Sequence, residues 1–233
     1  MTCMTRKRVP GLFITGTDTG VGKTCVAGLV ARSLKAAGYR VGVYKPAASG
    51  CDYVHGELVS DDAMRLWEAA GRPGPLDWVC PQRFMAPLAP HLAALEEDRQ
   101  LDPDLLRRGL ERWQDRSDVI LVEGAGGLMS PLGEREYVAD LAADFAFPLI
   151  VVARNALGTI NQTLQTLIAA SVHRGGLPVA GIVLSQPSSP AGDRSVETNR
   201  QELEARSSVP LLAEVAWNTD RFDAEVDWFA LAR

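Results

Sequence analysis

No run of about 18 apolar residues occurs anywhere in these 233 positions, so no segment has the length to span a bilayer as a helix. The basic start, Met1 to Arg8, is followed only by the short apolar stretch Val9 to Ile14, too little for the core of a secretory signal. Basic residues are also scarce. The 24 Lys and Arg stand against 29 Asp and Glu, a net charge of −5, which leaves no basic face to hold a polyanion by counterion release. Neither nucleic acid nor a membrane is an expected partner. The four cysteines, Cys3, Cys25, Cys51 and Cys80, form no C-x-x-C pair and have no histidine at zinc-ligand spacing. They read as reduced thiols, and the cytoplasm is the expected compartment. With no internal repeat or low-complexity stretch, one domain over 1–233 is expected, residues 1–7 forming a flexible tail.

What is present is an alternation. Short apolar, β-branched runs recur at Val9 to Thr15, Arg40 to Tyr44, Asp118 to Val122, Pro148 to Ala153, Val179 to Leu184 and Pro210 to Val215. Helical patterns lie between them, which implies an α/β fold of three layers, a mostly parallel sheet flanked by helices. Thr24 to Ala37 carries Val26, Val30 and Leu34 on one stripe and stops at Gly38. Ser60 caps a helix to Ala70 with Met64, Trp67 and Ala70 expected inward, and Asp102-Pro103-Asp104 opens another with Leu106, Leu110 and Trp113 buried. Ile160, Leu164, Leu167, Ile168 and Val172 are expected to line a longer helix, while Ser185 to Gly192 reads as a surface loop.

The first strand runs into Gly16-Thr17-Asp18-Thr19-Gly20-Val21-Gly22-Lys23-Thr24 and then a helix, the context in which a phosphate-binding loop has physical meaning. Backbone N–H groups point inward, the helix adds its positive end, and glycines keep side chains out of the way. Lys23 would reach the β and γ phosphates, and the Thr24 hydroxyl would ligate Mg²⁺. The strict pattern G-x-x-x-x-G-K-[ST] requires glycine at 17, where threonine stands, with Gly16 one residue earlier.

Asp118-Val119-Ile120-Leu121-Val122-Glu123 is a buried strand that delivers a carboxylate to the sheet edge where ligands of such folds bind. Glu123 is a Mg²⁺ partner or, alternatively, a helix-capping or solvated acid. Lys45 follows a strand that Pro46 prevents from continuing, and would bring a second cation beside Lys23. A surface lysine at a strand end fits the same spacing. Asp61 and Asp62 stand in a first helical turn, where complementing the helix dipole is reason enough for them.

Taken together, GTDTGVGKT, YKPAASG, SDDA at 60–63, PLAPHLAA at 87–94 and VEGAGG resemble the dethiobiotin synthetases, over roughly residues 10–217. That family shares the one-residue-longer phosphate loop. The resemblance implies the P-loop NTPase architecture and a Mg²⁺-dependent ligase that joins 7,8-diaminopelargonic acid and CO₂ at the expense of ATP, through a carbamate and a carbamic-phosphoric anhydride. It implies Lys45 and Lys23 as catalytic cations, with Thr24, Asp62 and Glu123 on the metal. The nucleotide would lie against Thr17, Asp18, Thr19, Gly20, Val21, Gly22, Lys23, Thr24, Asp62, Glu123, Gly124, Ala125 and Gly126. Its base end would meet Ser185, Gln186, Val215, Ala216 and Trp217. Ser49 would contact the diamine, and Leu157, Gly158, Thr159 and Asn161 would hold its carboxylate across a homodimer interface.

The base end departs from the family, which often has Asn-Asp where Ser185-Gln186 stand and Pro-Trp where Ala216-Trp217 stand. Adenine preference does not follow from the resemblance. His91 reads as a packing or hydrogen-bonding residue rather than a base, and Cys51 as a buried or spectator thiol. The rival reading is a partner-regulated switch ATPase of the partitioning and cell-division type. Such proteins usually carry an extra lysine early in the loop, where Thr17 and Asp18 stand here.

Overall fold

The structure, a computed structural model, describes residues 8–233, so the expected tail at 1–7 and Cys3 within it lie outside the described residues. The phosphate-loop strand is β1 (Gly11–Gly16), followed by α1 (Lys23–Ala36) and β2 (Val41–Tyr44). Short pieces come next: β3 (Ala47–Ala48), the hairpin of β4 (Asp52–Val54) and β5 (Glu57–Val59), then α2 (Asp61–Ala69). After these come α3 (Leu76–Val79), β6 (Gln82–Arg83), α4 (Pro90–Glu96) and α5 (Pro103–Arg108). The second half alternates regularly through β7 (Val119–Gly127), α6 (Val138–Phe145), β8 (Leu149–Arg154), α7 (Thr159–Val172), β9 (Val179–Ser185), α8 (Asn199–Arg206), β10 (Leu211–Val215) and α9 (Trp228–Leu231). No helix among the described residues is long and apolar enough to cross a membrane.

Six strands form one sheet in the order β10-β9-β8-β1-β7-β2, every neighbouring pair parallel. Helices flank it, so β1 is buried along its whole length and β7 and β8 read as continuous apolar runs. Because β1 sits between β7 and β8, the chain crosses from one side of β1 to the other there. That is the switch point beside which α/β sheets bind ligands, and all strand C-termini share its edge.

Two expected packing faces and one loop boundary need correction. In α2 the buried residues are Ala63, Leu66 and Ala69, one position out of phase with Met64 and Trp67, which stay half-buried; Trp67 turns its indole N–H to Gly74 O at 2.7 Å instead. In α7 the inward face is Thr159, Thr163, Thr166 and Ala170, whereas Ile168 and Val172 are 63% and 70% exposed. Ser185 belongs to the end of β9 and is buried, so the exposed loop starts after it.

The third strand of the sequence reading is also longer. β7 runs past Glu123 to Gly127, with Ile14 opposite Glu123 but Gly16 opposite Gly127. Two steps on β1 match four on β7, so residues 124–126 bulge from the ladder, helped by Gly126 at φ +72.

Candidate functional site

A cleft of about 640 Å³ opens at the C-terminal edge of the sheet. Its floor is the phosphate loop. Gly20 and Gly22 take φ of +72 and +97, a left-handed backbone that glycine adopts without strain, and Gly22 starts α1 with no side-chain cap. The first amides of α1 therefore lack an intrahelical acceptor and form an anion-binding end. At Gly22 a Cβ would strike the Ser185 hydroxyl, so this loop and β9 are shaped to each other.

Lys45 reaches the cleft because its neighbours are fixed. Tyr44 donates its hydroxyl to Leu105 O at 2.9 Å and Leu106 O at 3.0 Å, and Lys45 N donates to Val79 O at 2.7 Å. Beyond Pro46 the chain leaves the main sheet and pairs β3 with β6, which carries Ser49 to the cleft wall.

The Lys45 ammonium donates to Glu123 Oε1 at 2.7 Å and lies 3.0 Å from Asp62 Oδ2. Thr24 Oγ1 donates to the same Glu123 oxygen at 2.8 Å, while Glu123 Oε2 is buried with no partner among the described residues. Lys23, 7% exposed, donates to the backbone carbonyl of Asp18 at 2.9 Å. Burial, only partly offset by Glu123, pushes the Lys23 ammonium below the ordinary lysine range. Burial pulls Lys45 the same way, but Glu123 and Asp62 outweigh it and hold Lys45 charged. Burial would raise the Asp62 carboxyl, yet the Lys45 and Lys23 ammonium groups keep it below its usual value.

The residues present fit Mg²⁺. Thr24, Asp62 and Glu123 offer hard oxygen donors, and a bare buried carboxylate oxygen is unfinished without a cation or a donor. Two carboxylates and a hydroxyl suffice because Mg²⁺ takes its remaining ligands from water and phosphate.

Of the residues singled out in the sequence, Thr19, Gly20, Gly22, Lys23, Thr24, Lys45, Ser49, Asp62, Glu123, Ala125, Gly126, Ser185, Gln186, Val215, Ala216 and Trp217 line the one cleft. Thr17, Asp18 and Val21 belong to the loop but not to the cleft lining, and Val21 is buried in the core. Gly124 is buried, the place of its Cβ taken by Val138 and Phe13. Leu157, Gly158, Thr159 and Asn161 lie away from the cleft, on the turn after β8 and the start of α7. His91 is half-buried at the start of α4 with Nδ1 unpartnered among the described residues; Cys51 is buried, its thiol pushed up by burial.

The cleft also holds Cys25, Ala47, Ala48, Arg65, Pro187, Asn218 and Thr219, which sequence reasoning missed. Arg65 was within reach of it, standing one helical turn after Asp62 on α2.

A family model described as an AAA domain matches residues 10–223. The ATP-dependent dethiobiotin synthetase BioD of Anaeromyxobacter dehalogenans strain 2CP-C is 46% identical over 210 residues, 90% of this chain and 91% of that one. That of Rhodopirellula baltica is 43% identical over 215 residues, 87% and 82% of the two chains. The chain belongs to the dethiobiotin synthetase family. Among solved structures it is similar to the signal recognition particle receptor FtsY of Elizabethkingia anophelis in complex with GDP, at 14% identity and a TM-score of 0.51. The likeness covers 94% of this chain and 61% of that receptor, and it speaks for a shared fold alone. In this chain the phosphate loop, the second lysine and the carboxylates line one cleft.

Proposed function

We propose that this chain closes 7,8-diaminopelargonic acid with CO₂ to dethiobiotin at the expense of ATP, with Mg²⁺, acting as one domain and as a homodimer. The observation that carries the reading is Lys45, a second buried ammonium set on Glu123 and Asp62 beside Lys23. A nucleotide switch has no need of it. A ligase that joins two anions does, because the carbamate and the γ-phosphate repel each other and must be held together.

In this reading the substrate's amine adds to CO₂ and loses a proton, giving a carbamate. The carbamate oxygen takes the γ-phosphoryl group, ADP departs, and the second amine attacks the carbonyl of the mixed anhydride to expel phosphate. Lys23 and the loop amides hold the β and γ phosphates, and Lys45 turns from its carboxylates toward the carbamate and γ-phosphate. Ser49 orients the diamine. Ala125 and Gly126 bring backbone against the ligands without bulk, and Gly124 sets the bulge that carries them. Thr24, Asp62 and Glu123 would hold Mg²⁺, which supplies charge neutralisation on the phosphates.

The homodimer is supported by the chain's own surface. Leu164, Ile168 and Val172 follow one another at helical spacing on α7, with Ile168 and Val172 largely exposed and Leu157 85% exposed just before the helix. Leu157, Gly158 and Asn161 are exposed beside this row and outside their own cleft, where a partner's site would use them, while Thr159 is buried behind them.

The test is incubation of pure protein with Mg-ATP, bicarbonate and 7,8-diaminopelargonate. Dethiobiotin and phosphate should appear together; phosphate release indifferent to the diamine would sink the ligase reading.

A further inference from the structure

The turn between β8 and α7 has little of its own to hold it. Leu157 is 85% exposed, and Gly158 takes φ +96 with open space where a Cβ would stand. Its backbone is nevertheless fastened by residues that come after β9. Leu157 N donates to Asp193 Oδ2 at 2.8 Å, and the other oxygen of that carboxylate accepts from Ser195 N at 2.9 Å and from the Ser195 hydroxyl at 2.6 Å. Asn199, 1% exposed at the start of α8, donates from Nδ2 to Asn155 Oδ1 at 2.8 Å and lies 3.3 Å from both Ala156 O and Ser195 Oγ. Asn155 is itself buried and donates its backbone N–H to Ser185 O at 2.7 Å.

Packing alone does not call for this network. α8 already has an apolar anchor in Leu203, which is fully buried with Ala153, Ile182 and Leu184. A buried carboxamide is costly unless its polar atoms are met, and the amide hydrogens of Asn199 are met on the turn. The network sets the direction of the backbone that follows. There Thr159 N is bonded to Ala156 O and Gln162 N to Gly158 O, while the N–H groups of Gly158, Ile160 and Asn161 have no acceptor among the described residues.

We propose that Asp193 and Asn199 are positioning residues for the diamine's carboxylate: neither touches it, but together they hold the turn so that its three open amides meet the substrate in the partner's cleft. The inference rests on the dimeric ligase reading given above. A hydrogen bond to a charged group depends on direction as well as distance, so a turn released from Asp193 or Asn199 loses its grip on the carboxylate. That grip is shared by ground state and transition state, so its loss falls on KM rather than on kcat.

The experiment is steady-state kinetics of wild type, Asp193→Ala and Asn199→Ala at saturating Mg-ATP and bicarbonate. The substrates are 7,8-diaminopelargonate and octane-2,3-diamine, the matching vicinal diamine without a carboxylate. Each variant should raise KM for 7,8-diaminopelargonate about tenfold with kcat within about twofold of normal, and should handle octane-2,3-diamine as wild type does. Asp193 is only half-buried, so its variant keeps the test open should Asn199→Ala fail to fold. Equal losses on the two diamines, or a variant that sediments as a monomer, overturns the proposal. Wild type that favours the carboxylate, with variants that favour it equally, sinks the positioning roles alone. Wild type that treats the two diamines alike sinks the carboxylate reading on which those roles rest.

Discussion

Lys45 and Glu123 form an ion pair at 2.7 Å with side chains only 5% and 1% exposed, and the pair uses one carboxylate oxygen alone. Thr24 donates to that same Oε1, so Oε2 of Glu123 remains bare. A carboxylate saturated on one side and empty on the other suits a site that awaits a cation. Lys45 meanwhile provides the charge that makes its burial tolerable.

Lys45→Met should therefore separate two roles. Removing a cation aimed at developing charge should lower turnover about 10²–10³-fold or more, with nucleotide affinity little changed. Without its ammonium, Glu123 and Asp62 repel each other, so the metal-free variant should melt lower than wild type. Added Mg²⁺ should raise its Tm by more than it raises that of wild type. Dethiobiotin formation within about tenfold of normal would remove Lys45 from the chemistry.

Gly22→Ala tests the shape of the phosphate loop. A side chain at φ +97 costs about 1–2 kcal/mol in backbone strain, and this one also meets the Ser185 hydroxyl. The variant should lose both Tm and affinity for a fluorescent ADP analogue. Placing Ser185→Gly in the same chain should restore the part due to collision and leave the part due to strain. Full affinity in the single variant would show that the loop tolerates a different path.

Much of this was legible because buried parallel strands are apolar on both faces and have glycine or proline near one end, as β1 ends at Gly16, β2 is followed within two residues by Pro46 and β8 is preceded by Pro148. The phosphate loop was legible for a related reason: its glycines at positive φ admit few substitutes. The helices were harder. In α2 the buried face is Leu66 between two alanines, Ala63 and Ala69, and small residues signal weakly, so the larger Met64 and Trp67 drew the stripe out of phase. In α7 the inward residues are threonines, one of which, Thr166, satisfies its hydroxyl on Gln162 O at 2.9 Å. The hydropathy stripe is half right there: Ile160 and Leu167 pack against Ala153, Ile182, Leu184 and Leu203, whereas Ile168 and Val172 point to a surface. Past Glu123 the apolar run that marks the strand is over, yet β7 continues to Gly127 through a bulge at 124–126.

Asp62 gives a pH test with a definite sign. Its carboxyl titrates below 3.8 in the folded protein, because Lys45 and Lys23 outweigh the effect of burial. A depressed folded pKa contributes stability that is complete above the unfolded value and is lost as pH falls through the folded one. Urea unfolding should find Asp62→Asn less stable than wild type at neutral pH, with the gap closing below 3.8. Lys45, raised above 10.5, bounds the window at the other end, where its contribution disappears only in strong alkali. A gap that stays constant into acid would mean that Asp62 acts through packing alone.

The exposed row on α7 decides whether the site is complete in one chain. Ile168 is 63% exposed in the middle of a helix, a position where a lone apolar side chain contributes nothing to this chain's core. If the row is covered by a second copy, Ile168→Asp buries a charge against an apolar surface, and the dimer should dissociate while each chain stays folded. Analytical ultracentrifugation should then show wild type as a dimer and the variant as a monomer. Nucleotide displacement should be unaffected, since the phosphate loop, Gln186 and Trp217 all belong to one cleft. Dethiobiotin formation should fall through a raised KM for the diamine, because the turn at Leu157 to Thr159 would no longer face a neighbour's cleft. A monomeric wild type, or a monomeric variant with an ordinary diamine KM, would place the substrate's carboxylate on residues of the same chain.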